Sequence, residues 1–129
     1  MITRLYSDDA GETHFEDCNL PADQATSHGG TMAVRGLLDV PALAFGIVDL
    51  TEKAPAADFH ATSPRKATVV LRGAFEMSTT DGERRRFTPG DVVFTDDRAS
   101  KGHAFEDVGD EPLLTVVIDI ADDWEYRAA

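Results

Sequence analysis

Residues 58–103 read DFHATSPRKATVVLRGAFEMSTTDGERRRFTPGDVVFTDDRASKGH, and the punctuation of this stretch decides the fold. It holds His60, then an apolar strand over 67–72 closed by Gly73, then a turn at Asp81-Gly82. A second turn follows at Pro89-Gly90-Asp91, then another strand, and the stretch ends on Gly102-His103. Asp81-Gly82 predicts a hairpin, because glycine accepts the positive φ that primed turns require. A closed antiparallel barrel brings residues as distant in sequence as His60 and His103 to one wall of its interior.

Outward from this stretch the same rhythm continues. Short strand-like runs alternate with turn signals at intervals of roughly ten residues, the all-β spacing. The expected strands are Ile2–Tyr6, Glu12–Asp17, Thr31–Leu38, Ala42–Leu50, Thr68–Arg72, Phe75–Thr79, Glu83–Phe87, Val92–Thr95, His103–Glu106 and Leu113–Ile120. Pro41, Pro55, Pro64, Pro89 and Pro112 fall between these runs, where a missing amide donor does no harm. No long period of 3.6 appears, so helix is minor. The expectation is an all-β double-stranded barrel, a jelly roll with its pocket between two sheets. One domain is expected over 1–129, with N-terminal strands in 1–20, barrel core over about 31–120, and a tail over 121–129 that forms a helical turn or lies extended.

Composition narrows the partners. With 24 acidic against 12 basic residues the net charge is −12, a field that repels nucleic-acid phosphates and anionic lipid. Neither nucleic acid nor membrane is therefore an expected partner. No apolar run reaches the length of a membrane span, and the N-terminus turns acidic too early for a signal peptide. The lone Cys18 excludes an internal disulfide, fits a reducing cytoplasm, and carries no catalytic weight. Arg84-Arg85-Arg86 sits among acidic neighbours and reads as a solvated strand or an ion-pair ladder.

Strand alternation assigns faces. Phe75 and Met77 share one face of their strand, and Lys66, Thr68 and Val70 share one face of theirs. Phe75, Met77, Phe94 and Phe105 read as core or as pocket lining, which in a barrel are one surface at different depths.

In this order of marks the chain resembles a small single-domain bacterial cupin. The first half of the cupin signature places two histidines, a glutamate and a glycine in series. Counted back from Gly73, the glutamate slot falls on Lys66, the second-histidine slot on Thr62 and the first on His60. In the second half, counted from Gly90, the proline slot falls on Asp96, and His103 stands two residues beyond the third-histidine slot. A branch of single-domain cupins is similar over more of the chain, through Gly11-Glu12-Thr13-His14-Phe15, Asp58-Phe59-His60-Ala61-Thr62-Ser63-Pro64-Arg65-Lys66 and the acidic loop Asp96–His103. Phe59, Lys66 and Ser100 depart from that branch's tryptophan, glutamine and glycine.

The resemblance implies a barrel interior carrying His60, Lys66 and His103 as acid–base residues, with Thr62, Arg65, Phe75, Met77, Phe94 and Phe105 around a substrate. Arg65 and Lys101 would flank the histidines at the barrel mouth. A metal-binding cupin uses three histidines and a glutamate; an ammonium at the glutamate slot has no lone pair to give. No cofactor is therefore expected. The alternative is a divalent metal (Fe, Mn, Ni, Zn or Cu) on His60 and His103, with Asp58, Asp96 and Asp97 as the nearest further donors. His14 is expected to be structural or solvent-exposed, and His28 is assigned nothing.

The family supplies a menu of functions rather than one. The leading expectation is an isomerase, lyase or cyclase working by acid–base chemistry in the barrel. The alternatives are a non-catalytic small-molecule binding module and a metal-dependent oxygenase with a reduced ligand set. The basic groups Arg65, Lys66 and Lys101 on an acidic protein point to an anionic or phenolic ligand. The apolar run over 42–48 and an open sheet edge point to a homodimer.

Overall fold

The polar–apolar alternation is realised as strands throughout the computed structural model, which describes residues 1–18, 22–27, 30–35, 42–62 and 64–121. The strands are β1 (Ile2–Ser7), β2 (Thr13–Asp17), β3 (Ala22–Ser27), β4 (Gly30–Arg35), β5 (Ala42–Asp49), β6 (Ala57–His60), β7 (Lys66–Arg72), β8 (Phe75–Ser78), β9 (Arg84–Phe87), β10 (Val92–Asp96), β11 (His103–Asp107) and β12 (Leu114–Ile120). They form a six-stranded sheet in the order β2-β1-β10-β7-β12-β5, a four-stranded sheet β6-β11-β8-β9, and the two-stranded β3–β4 ribbon. From β7 onward the chain passes between the two larger sheets: β7, β10 and β12 lie in one, β8, β9 and β11 in the other. That alternation is the jelly roll expected from the sequence.

The two sheets face each other across a core of Leu5, Phe15, Val70, Phe75, Met77, Phe87, Val93 and Leu113. Each fully buried side chain of this size contributes about 1.5–3 kcal/mol through removal from water. Phe75 sits at the centre, with ring centroids 5.2 Å from Phe87 and 5.3 Å from Phe105. A second cluster, Ala67, Phe94 and Ile120 with Ile2, Val92 and Ile118 against it, covers the outer face of the six-stranded sheet. The one-residue steps from Ala67 to Thr68 and from Val93 to Phe94 separate the two clusters, because successive side chains leave a strand on opposite faces.

Local turns follow the sequence, with one difference of type. Asp81-Gly82 closes the β8–β9 hairpin, but Thr79 N–H donates to Glu83 O (3.0 Å), and Gly82 N–H donates to Thr79 O (3.1 Å). Only Gly82 in this turn takes a positive φ, 91°. The loop is therefore a turn followed by a left-handed glycine rather than a two-residue primed turn. The basic run of β9 is the ion-pair ladder expected: Arg84 pairs with Glu76 and Glu106, Arg85 with Asp17 and Glu83, and Arg86 with Glu76.

Two strands lie outside the expected set. The strand expected over 31–38 is realised in part as β4, paired with β3, whose sequence ADQATS lacks apolar alternation. Strand β6 is short and exposed, and it exists through its pairing to β11 rather than through any pattern of its own. His28 and the tail over 122–129 lie outside the described residues. Among the described residues no helix is long and apolar enough to cross a membrane.

Candidate functional site

The site begins with a cross-strand pair. His60, the last residue of β6, and His103, the first of β11, are direct partners in antiparallel register. Paired positions carry side chains on the same face, and here the two imidazole centroids are 4.8 Å apart. The backbone permits this approach because residue 102 is glycine. A Cβ there would lie 2.1 Å from the His60 carbonyl carbon, and Gly102 holds φ at 82°, where a side chain is strained in any case. The loop before it is tied down locally: Ser100 Oγ donates to Asp97 O (2.5 Å), Gly102 N–H to Ser100 Oγ (3.0 Å), and Thr13 Oγ1 to Gly102 O (2.7 Å).

Each histidine is oriented through Nδ1. The His103 ring pairs with Asp97 Oδ2 at 2.6 Å, and Asp97 is wholly shielded from solvent. The other carboxylate oxygen of Asp97 accepts the Thr62 N–H at 3.3 Å. Burial pushes the Asp97 carboxyl up, but the hydrogen bond and charge of His103 and the contact from Thr62 outweigh it and hold the group below the usual carboxylate range. His60 Nδ1 lies 2.8 Å from the Asp58 carbonyl, which only accepts, so Nδ1 carries the proton there. Both rings are thus left with Nε2 as the unengaged position.

A cavity of about 200 Å³ is lined by His60, Thr62, Lys66, Met77 and His103, together with Ala61, Thr68 and Thr95. The three residues expected to do acid–base chemistry, His60, Lys66 and His103, therefore share one cavity with Thr62 and Met77. Lys66 stands on β7, opposite Thr95 of β10 and Asp119 of β12 in register.

Four residues expected around a substrate are elsewhere. Arg65 is 3% exposed rather than at the mouth; it points to the opposite side from Lys66, donating to Asp96 (3.3 Å) and Ala121 O (2.8 Å). Phe94 packs in the outer cluster with Ala67 and Ile120, one residue out of phase with the interior positions Val93 and Thr95. Phe75 is on the interior face but belongs to the packed core. Phe105 packs on Phe75 and borders a separate cleft beside Asp58, Glu76 and Arg84. Lys101 is exposed and paired with Glu12.

Asp97 is the site residue whose role the sequence does not reveal. It was a candidate metal donor by proximity alone, whereas its contacts make it the partner that orients His103. Asp96 is committed to Arg4 and Arg65, and Asp58 serves His60 through its backbone. Among the described residues no three His, Cys, Asp or Glu side chains are arranged to hold a metal ion. Two imidazoles beside an ammonium do not fit the three-histidine, one-glutamate set.

The two-sheet roll with a histidine-lined interior defines a jelly-roll barrel domain with a small internal pocket. A family model described as a cupin domain matches residues 46–119, more than half of the chain, and the chain belongs to that family. Among solved structures it is similar to the cupin domain of Schizosaccharomyces pombe Cnp3, at 12% identity and a TM-score of 0.48, over 80% of this chain and 85% of that one. No curated protein matches the chain.

Proposed function

We propose that this cupin domain acts on a small molecule by acid–base catalysis of the isomerase, lyase or cyclase type, using His60 and His103 and no metal. The observation that carries this reading is the buried Asp97–His103 pair, whose free Nε2 shares a cavity with His60 and Lys66. A carboxylate behind an imidazole fixes its tautomer and steadies the cation formed when it accepts a proton. One ring then takes a proton from substrate while the other returns one. The Lys66 ammonium orients an anionic group of the substrate beside the two rings. Such acid–base participation contributes about 10²–10⁴-fold in rate.

The test is proton exchange. A panel of small keto acids, hydroxy acids and enones is incubated with the protein in D2O, and loss of C–H signals is followed by NMR. Exchange that falls about a hundredfold in His103→Gln is the expected result. Binding without exchange across the panel would instead favour the non-catalytic module. A divalent ion on His60 and His103, the oxygenase-type alternative, is opposed by the neighbouring ammonium.

A homodimer is proposed on a separate observation. Phe45 and Ile47 of edge strand β5 are 67% and 64% exposed, and they lie in register with Ile118 and Val116 on the outer sheet face. An apolar sheet edge of this kind invites pairing. A sedimentation mass of one chain at micromolar concentration would reject it. A reducing cytoplasm is proposed as its compartment, on the strength of the lone Cys18.

A further inference from the structure

The cavity carries a positive group within an acidic molecule. Across the surface, most arginines and lysines are matched with carboxylates: Arg4 with Glu16 and Asp96, Arg72 with Asp49, Arg84 with Glu76 and Glu106, and Lys101 with Glu12. Lys66 and the exposed Lys53 are the lysines that differ, and Lys66 alone of the two lines a cavity with the histidines. Among the described residues its ammonium has no hydrogen bond or ion pair, although the chain carries a net charge of −12. Asp119, its register neighbour on β12, neither pairs with it nor lines the cavity. The carboxylate nearest the histidines, Asp97, is committed to His103 and Thr62. Among the described residues no acidic side chain lines the cavity. Lys66 shares it, among those residues, with imidazoles, threonines, an alanine and a methionine.

We infer that this cavity binds a small monocarboxylate, with the carboxylate on Lys66 and the remainder of the molecule against Met77 and the two histidines. This deepens the proposed function and rests on the same pocket. Two features select the class. One ammonium balances one negative charge, and the Thr68 hydroxyl, which makes no hydrogen bond among the described residues, is placed beside it on the same face of β7 to supply a second donor. A phosphate would want a fork of guanidinium, and no arginine is among the described residues of this wall. Size sets the other limit: about 200 Å³ is below the ~300–1,000 Å³ of pockets for drug-sized ligands.

The inference separates from the proposed function in one experiment. Benzoate, benzamide and inorganic phosphate are titrated into the protein, with the Met77 methyl and the His60 and His103 ring signals followed by NMR. Benzoate is expected to move all three, with benzamide and phosphate at least tenfold weaker. Lys66→Gln should weaken benzoate about ten- to a hundredfold, as loss of a hydrogen bond to a charged group does, while Lys66→Arg keeps most of it. Benzamide binding as tightly as benzoate overturns the carboxylate assignment and leaves the pocket standing. Phosphate binding tighter than benzoate does the same. If no probe moves the histidine signals, the carboxylate site and the proposed pocket fall together. The comparison of benzoate with benzamide needs only the wild-type protein, so it decides the matter even where a Lys66 variant fails to fold.

Discussion

Two histidine–carboxylate contacts in this molecule have nearly equal lengths and opposite consequences. Inside the barrel, His103 meets Asp97 at 2.6 Å; at the rim, His14 meets Asp8 at 2.7 Å. The interior pair is shielded, and only one nitrogen of His103 is engaged. His14 is 29% exposed in its side chain, and its second nitrogen is also taken, by Asp81 at 3.0 Å. A ring with one committed nitrogen is oriented and still able to move a proton. A ring with both committed can only hold its neighbours together. The number of nitrogens left over, and the water around them, separates a candidate catalytic group from a staple.

The comparison breaks most visibly at Asp97. Removing the carboxylate of a buried hydrogen-bonded pair leaves the imidazole N–H without its partner, at a cost of about 1.5–3 kcal/mol for a hydrogen bond to a charged group. Asp97→Ala should lose stability of that order in urea unfolding and release the His103 ring. Asp97→Asn keeps the volume, yet loses the charge that steadies a protonated ring, and should lower any proton-exchange activity more than stability. Equal losses of both in the two variants would mean that Asp97 serves packing alone.

Lys66→Glu tests the difference from the other side, by supplying a carboxylate to a cavity that has none among its described lining residues. With two Nε2 positions already oriented, a glutamate on β7 would provide a third donor to a divalent ion. Zinc or nickel binding by calorimetry should strengthen by at least about tenfold over wild type, and benzoate binding should be lost. Unchanged metal and benzoate binding together would show that residue 66 does not act in this cavity.

How much of this was legible in the sequence depended on the range over which each residue acts. Gly82 and Gly90 announce their turns locally, and both take positive φ. Thr68 and Val70 show their face by alternation. Parity also explains two placements: Arg65 adjoins the cavity-lining Lys66 and Phe94 adjoins the cavity-lining Thr95, so each points away from the cavity. The convergence of His60, Lys66 and His103 rested on the family resemblance, since no local pattern pairs β6 with β11. Asp97 was beyond reach for a related reason. Its role follows from a loop that folds back so that residues 97 and 103 meet beneath Thr62. The staple at His14 joins three separate segments, of which the sequence showed only a histidine in an N-terminal strand.

That staple gives the smallest effect and the one with the clearest sign. Hydrogen bonds and charge from Asp8 and Asp81 hold the His14 imidazole above its ordinary value of 6.5 in the folded state, against a lesser effect of burial. A raised value means that the stabilisation is fully present below the unfolded pKa and is lost as pH rises through the folded one. Asp8 is held below its ordinary 3.8, chiefly by His14. Asp81 is held below it chiefly by Thr79, then by the Glu83 N–H, with His14 adding a smaller part. Their contributions are present above 3.8 and are lost as pH falls through the folded values. The staple is therefore strongest between the ordinary carboxylate and imidazole values, where all three groups carry charge. Other groups face it too: the Tyr6 ring lies 5.4 Å from the His14 ring, and the Glu12–Lys101 pair lies on the adjoining loop, with Glu12 held below its ordinary 4.5 chiefly by Lys101. The difference in Tm between wild type and His14→Gln should peak within that window, narrow towards pH 9, and narrow again in strong acid. A difference that is flat from pH 4 to 9 would show that His14 holds these segments by shape rather than by charge.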